Sequence, residues 1–250
     1  MHSGTDFYQQ AAQAIRSARR LTAFTGAGIS VESGIPPFRG SGGLWNRYDP
    51  TFIEIDYFYR NPKKSWELIR EIFYDFFGRA EPNAAHRALA LMESRGLIEV
   101  VITQNIDNLH QEAGNTTVYE FHGSSQFLVC TACGNRIHFT AAGLEVLPPA
   151  CGECGGLLKP DFVFFGEQIP EPANSRSFLE AQLADVFLLI GTSGEVMPAC
   201  GIPFLAKENG AAIIEVNTEP SSYTGRITDI FLQGRATEVM ARLVEALGIG

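Results

Sequence analysis

The chain has 250 residues, of which 45% are hydrophobic and 19% charged, and its net charge is -9. That balance excludes a disordered chain and disfavours loose binding to nucleic acid, so no direct nucleic-acid partner is expected. No run approaches the ~20 apolar residues that span a bilayer, and the first twenty residues lack the apolar centre of a secretory signal. The expectation is a monomer acting in the cytoplasm, away from membranes, where paired cysteines are metal ligands rather than disulfides.

In chain order, Phe7, Ala11, Ala14, Ile15 and Ala18 stand at helical spacing and predict an amphipathic helix. Leu21 to Thr25 reads as a short buried strand that ends in Gly26-Ala27-Gly28. Residues 40–80 are rich in aromatics, from Trp45 to Phe77, and read as a helical insertion. Pro82 to Arg95 places Ala85, Ala88, Leu89 and Met92 on one helical face. Apolar runs at Ile98 to Thr103, Val186 to Ile190 and Ala211 to Val216 read as core strands of a parallel sheet. Helices are predicted over Pro198 to Asn209, closed by Gly210, and over Ala236 to Leu247, closed by Gly248. Strands alternating with helices predict an α/β fold with a Rossmann-like, doubly wound parallel sheet.

Residues 127–160 break that rhythm and hold four of the five cysteines. Cys130-x2-Cys133, seventeen residues, then Cys151-x2-Cys154 presents two thiolate hooks to one tetrahedral ion, and four sulfurs suit Zn2+. Four cysteines close the shell, so the site reads as structural. His138 reads as a surface residue and Cys200 as a small buried apolar group in a helix.

The turn Thr25-Gly26-Ala27-Gly28-Ile29-Ser30 follows a strand. Small residues there let backbone N–H groups approach a pyrophosphate. The third glycine of the usual dinucleotide pattern falls at Val31, so the turn alone fits a plain strand-to-helix connection equally well. In Gly34-Ile35-Pro36-Pro37-Phe38-Arg39-Gly40, Phe38 is placed to cover a flat ring and Arg39 to meet a phosphate; a packing Phe and a solvated Arg is the alternative. Gln104-Asn105-Ile106-Asp107 follows a strand end, where ligands bind in open α/β sheets, and Asn105 with Asp107 suits a carboxamide. His122, before Gly123, is a candidate general base. A satisfied structural histidine is the alternative, and it is the reading taken for His2, His86 and His110, with His110 placed to support the site from behind. Gly191-Thr192-Ser193 and Asn217 end two further strands, placed to contact a ribose or a phosphate.

Taken in order, Gly26-Ala27-Gly28-Ile29-Ser30, Gly34 to Gly40, Thr103 to Asp107, His122-Gly123, the two cysteine hooks, Gly191-Thr192-Ser193 and Val216-Asn217 resemble the sirtuin family of NAD-dependent protein deacylases. The resemblance implies a discontinuous dinucleotide-binding domain over 1–39, 81–126 and 161–250. It implies a small domain built from a helical module, 40–80, and a zinc module, 127–160. Gly26, Ala27, Gly28, Ser30, Phe38, Arg39, Gln104 and His122 would contact NAD. Asn105, Ile106 and Asp107 would form the nicotinamide pocket. Gly191, Thr192, Ser193 and Asn217 would hold the adenosine half, with Ala236 near the adenine. Val163, Phe165 and Gly166 would bind an acyl-lysine peptide as an added strand, partnered by Val196 within 195–197.

The implied reaction is deacetylation that releases nicotinamide and O-acetyl-ADP-ribose. Asn105 and Asp107 act on the carboxamide and His122 is the base. Mono-ADP-ribosyl transfer and, further off, hydride transfer are the alternatives. Two departures stand out. Pro37 replaces the family's usual Asp, and Ile69 and Ile72 hold the places of a Tyr and an Arg that read acidic acyl groups. The second favours acetyl or longer fatty acyl groups.

Overall fold

The computed structural model describes residues 6–40 and 42–250; His2 and the side chains of Phe76 and Phe77 lie outside the described residues. The chain runs α1 (Phe7–Ser17), β1 (Leu21–Thr25), a 3-10 helix (Ala27–Ser33), α2 (Ile55–Arg60), α3 (Pro62–Ile69), a π-helical turn (Arg70–Phe76), α4 (Ala84–Ser94) and β2 (Ile98–Thr103). It continues through α5 (Leu109–Ala113), β3 (Val118–Glu120), β4 (Gly123–Cys130), β5 (Arg136–His138) and β6 (Leu158–Phe162). Last come α6 (Ala173–Leu183), β7 (Val186–Ile190), α7 (Gly201–Glu208), β8 (Ala212–Asn217), β9 (Ile230–Gln233) and α8 (Ala236–Leu247).

Six strands form one parallel sheet in the order β3-β2-β1-β7-β8-β9. Every residue of β1 and β7 is buried because helices cover both faces. Alternation along each strand sorts the side chains by face. Ala23, Val101, Leu188 and Ile214 pack with α1, α4 and α8, through Ile15, Leu89, Met92, Met240 and Leu243. Phe24, Ile102, Phe187, Leu189 and Ile213 pack on the other face against Ala181 of α6 and Ile202 and Ala206 of α7. This is the doubly wound sheet that the periodicity predicts.

A second sheet, β5-β4-β6, is antiparallel. It shares a third apolar cluster with the aromatic segment: Phe52, Phe58, Trp66, Ile69, Ile72 and Phe73 meet Leu128, Leu158, Phe162 and Phe164. Trp66 Nε1 donates to the Leu158 carbonyl at 2.9 Å, which fastens the two segments together.

Sequence and structure differ at several edges. The helix expected over 198–209 is α-helical only from Gly201, with a turn before it. The helix expected from Pro82 starts at Ala84 because the Asn83 side chain caps it, accepting from Ala85 N at 2.9 Å. No described helix is long and apolar enough to cross a membrane.

Candidate active site and metal centre

The order of the sheet reverses around β1. The chain goes from β1 to β2 on one side and returns to β7 on the other, and a crevice opens at the strand ends between them. Gly26 to Ser30, Gln104 to Asp107 and Gly191 to Ser193 meet there. Gly28 N donates to the Gly191 carbonyl at 2.8 Å, and Gly26 N to the Ile190 carbonyl at 3.0 Å. The approach needs glycine on both sides: a Cβ on Gly28 would stand 2.5 Å from Gly191 Cα, and Gly191 itself has φ +62.

Within the crevice the polar groups form one network. Asn105 Nδ2 donates to the Gly26 carbonyl and to Ser30 Oγ, both at 3.1 Å. Ser30 Oγ donates to Asp107 Oδ2 at 2.7 Å, and Leu109 N to Asp107 Oδ1 at 3.1 Å. Ala27, Ser30, Ile35, Phe38, Asn105, Ile106 and Asp107 line a single small pocket. Phe38 leans on Trp45, with ring centroids 5.3 Å apart. Burial pushes the Asp107 carboxyl above its ordinary range, opposed by the Ser30 hydrogen bond.

Two buried histidines lie under this pocket, their ring centroids 5.0 Å apart. His86 Nδ1 accepts from Asn83 N at 3.3 Å, so its Nε2 carries the proton and faces Ser30 Oγ at 3.4 Å. His110 Nε2 stands 2.9 Å from Thr25 Oγ1, which donates to Thr103 Oγ1 at 2.9 Å. Thr103 Oγ1 also accepts from Asn105 N at 3.1 Å. Burial pushes His86 down to about 4 and His110 down to about 3, so both are neutral at pH 7. Sequence reasoning missed Thr25 and Thr103. The available signal was a threonine closing each of two adjacent apolar strands.

His122 is half-buried, and its Nδ1 lies 3.0 Å from the Gln104 carbonyl. A carbonyl only accepts, so Nδ1 holds the proton and Nε2 presents a lone pair. Desolvation lowers the pKa of His122, with the Gln104 carbonyl opposing. Gln104 Nε2 donates to Thr192 Oγ1 at 3.0 Å, and Asn217 Nδ2 to the Thr192 carbonyl at 3.1 Å, which joins the strand ends of β2, β7 and β8. Ser193 is exposed and Ala236 buried. Glu32 reaches from the 3-10 helix to Thr237 N at 3.1 Å, fixing the first turn of α8 against the glycine turn.

Arg39 lies at the rim, its Nη1 3.7 Å from Glu195. Val163 N donates to the His122 carbonyl at 2.9 Å. Phe165 pairs on its other side with Ile53 and Ile55, at 2.9 and 3.0 Å. Among the described residues no backbone hydrogen bond joins Val163 to Gly166 with the half-buried Val196 or its neighbours Glu195 and Met197. Phe165 and Met197 are both exposed.

The four cysteine sulfurs lie within 4.8 Å of one another. Cys130 and Cys154 are 3.5 Å apart, Cys133 and Cys151 3.9 Å. Zn–S bonds near 2.3 Å in a tetrahedron place sulfurs about 3.8 Å apart, so the donor set fits Zn2+. Backbone N–H groups of Ala132 and Cys133 point at Cys130 Sγ, at 3.4 and 3.5 Å. The Cys133 and Ala132 amides lower the Cys130 thiol to about 6, toward the thiolate that a metal needs. His138 is exposed. Cys200 is half-buried rather than fully buried and precedes α7, with Sγ 3.1 Å from Met197 Sδ.

The Sir2 family model matches residues 26–198. The NAD-dependent protein deacylase 2 of Pyrobaculum aerophilum is 46% identical over 238 residues, 94% of this chain and 93% of that protein. The NAD-dependent protein deacylase of Pyrococcus abyssi is 45% identical over 241 residues, 94% and 96% of the two chains. A solved mutant Sir2 homologue in complex with ADP-ribose superposes with TM-score 0.91 at 40% identity, covering 96% of each chain. A Sir2–p53 peptide–NAD+ structure superposes with TM-score 0.89 at 33% identity, covering 96% of this chain and 98% of that one.

Proposed function

The chain belongs to the Sir2 family, the sirtuins, and we propose that His122, Asn105 and Asp107 carry the reaction by which it deacetylates protein lysines at the expense of NAD. It is an NAD-dependent protein deacetylase with one structural zinc site. The relatives' names favour deacylation over ADP-ribosyl transfer or hydride transfer.

When bound, NAD supplies an electrophilic ribose carbon and nicotinamide as its leaving group. The residues present fit it: a small-residue turn at a crevice, a carboxamide-sized polar pocket and an uncharged base beside it. Asn105 spends both Nδ2 protons on Gly26 and Ser30, which leaves Oδ1 to accept from a carboxamide N–H. Asp107, held by Ser30, is the second acceptor. Gly26, Ala27, Gly28 and Arg39 would meet the pyrophosphate side, Phe38 would cover the ring and exclude water, and Gln104, Gly191, Thr192, Ser193, Asn217 and Ala236 would hold the sugars and adenine. His122 Nε2 would take the proton from a ribose hydroxyl that attacks the acyl carbon.

The observation that carries the reading is the Nδ1 contact of His122 with the Gln104 carbonyl. It puts the Nδ1 proton on the carbonyl, so that in the neutral ring, which desolvation favours, Nε2 carries the lone pair. The peptide would lie along Val163, Phe165 and Gly166, with Val196 opposite, as an acetyl-lysine strand. Ile69 and Ile72 are buried in the apolar cluster, and Arg70 is taken by Asp75 at 3.6 Å and by the Leu144 carbonyl. That arrangement supports uncharged acyl groups over succinyl or malonyl. Residues 1–39, 81–126 and 161–250 would form the NAD domain, and 40–80 with 127–160 the small domain. A cytoplasmic monomer completes the reading; four thiols gathered for a metal suit a reducing compartment.

Mass spectrometry of the protein with NAD and an acetyl-lysine peptide tests it. Free nicotinamide and O-acetyl-ADP-ribose are expected. NADH, or ADP-ribose attached to the peptide, would overturn it.

A further inference from the structure

Lys159 is a buried charge that the proposed chemistry leaves unused; it stands 8% exposed in β6. An ammonium has three donors, and all three are taken. Lys159 Nζ reaches the Phe162 carbonyl at 2.7 Å, the Pro160 carbonyl at 3.0 Å and Glu167 Oε2 at 2.9 Å. It also lies 4.1 Å from the ring centroid of the buried Phe164. Glu167 Oε2 accepts in turn from Phe164 N at 2.7 Å.

One charge therefore gathers the chain at residues 160, 162, 164 and 167. The even-numbered residues Phe162 and Phe164 turn inward to it. The odd-numbered ones serve the other side: Val163 N holds the His122 carbonyl, and Phe165 is 42% exposed at the cleft. Burying a lysine is unfavourable unless partners compensate, and an apolar side chain of similar size would fill the space without that penalty. What an apolar residue cannot do is bind two carbonyls and a carboxylate at once. That three-way grip shapes Val163–Gly166 just past the point where β6 stops pairing with β4.

We propose that Lys159 and Glu167 are positioning residues that hold Val163, Phe165 and the turn at Gly166, where φ is +92, in the conformation that receives the acyl-lysine peptide. The inference rests on reading that stretch as the peptide strand. Through the Val163 to His122 hydrogen bond the same grip sets the peptide edge relative to the base.

Steady-state kinetics with an acetyl-lysine peptide and NAD, run on the zinc-loaded full chain, tests it. Lys159→Met should raise the peptide KM by about tenfold, while the NAD KM stays within about twofold. Glu167→Gln keeps the shape and one acceptor but loses the charge, and should raise the peptide KM by about threefold. Glu167→Gln keeps the question decidable if Lys159→Met fails to fold. An unchanged peptide KM in Glu167→Gln, or a parallel rise of both KM values, overturns the proposal. Phe165→Ala separates the two layers. If it raises the peptide KM and Glu167→Gln does not, only the positioning role falls. If it leaves the peptide KM unchanged, the peptide-strand reading falls and takes this inference with it.

Discussion

Acidification should weaken this protein through two histidines that never reach solvent. His86 and His110 are 0% and 1% exposed, and burial holds them down to about 4 and about 3, against an ordinary value of 6.5. Above pH 6.5 both the folded and the unfolded chain carry them neutral. Between 6.5 and about 4 the unfolded chain binds a proton on each and the folded chain does not, so stability falls as pH falls. Integrating from pH 7 to pH 5 gives a loss of ~1.8 kcal/mol per histidine. The assay is urea unfolding followed by fluorescence of Trp45 and Trp66 at pH 7, 6 and 5, in the wild type and in His110→Gln. Thiolates, Asp107 and Glu120 titrate in both proteins and cancel in the comparison. The variant should lose less stability than the wild type by ~1.8 kcal/mol over that range. Equal losses would refute the claim that His110 is held neutral by burial.

Four further outcomes are expected. His122→Ala should reduce deacetylation by about 10²–10⁴ with an unchanged circular dichroism spectrum, and undiminished turnover would remove it as the base. Because burial lowers its pKa, activity should be lost on the acid side as His122 protonates, with the acid limb of kcat/KM lying below 6.5; a limb above that value contradicts the assignment. Gly28→Ala puts a Cβ 2.5 Å from Gly191 Cα and should destabilise by about 1–3 kcal/mol while weakening ADP-ribose binding by calorimetry; a neutral variant would show that the two turns can separate. Elemental analysis should find one zinc per chain, and stripping it should abolish the β5-β4-β6 sheet in hydrogen exchange; full protection without metal would end the structural role.

The sequence made β1, β2, β7 and β8 legible because strands largely buried on both faces are written as mainly apolar runs, interrupted here at Thr22, Glu99 and Glu215. The edge strands β3 and β9 were not, since they are only three and four residues long and just Leu232 among them is fully buried. Helix α6 escaped because Leu179 and Leu183 face solvent, so its apolar residues do not form one stripe. The cysteine hooks were legible from spacing alone, whereas β6, which follows the second hook, holds Lys159 and Pro160 where a strand pattern expects apolar residues. Asn105, Asp107 and His122 were legible as residue types at strand ends. Their joining through Ser30, and its link to the histidine and threonine layer beneath, depends on hydrogen bonds between side chains 56 to 85 positions apart, which no local pattern records.

Strand β4 begins at Gly123, the residue after His122, and ends at Cys130. From Ser124 to Cys130, roughly 23 Å, one strand with an irregular register between Gly123 and Leu128 thus leads from the proposed base to a thiolate of the zinc site. An ion that takes no part in the chemistry then acts as the far bearing of the residue that does. A chelator working at the sulfurs would mimic an active-site inhibitor in a kinetic trace, slowing proton transfer from a distance, and free substrate would give no protection against it.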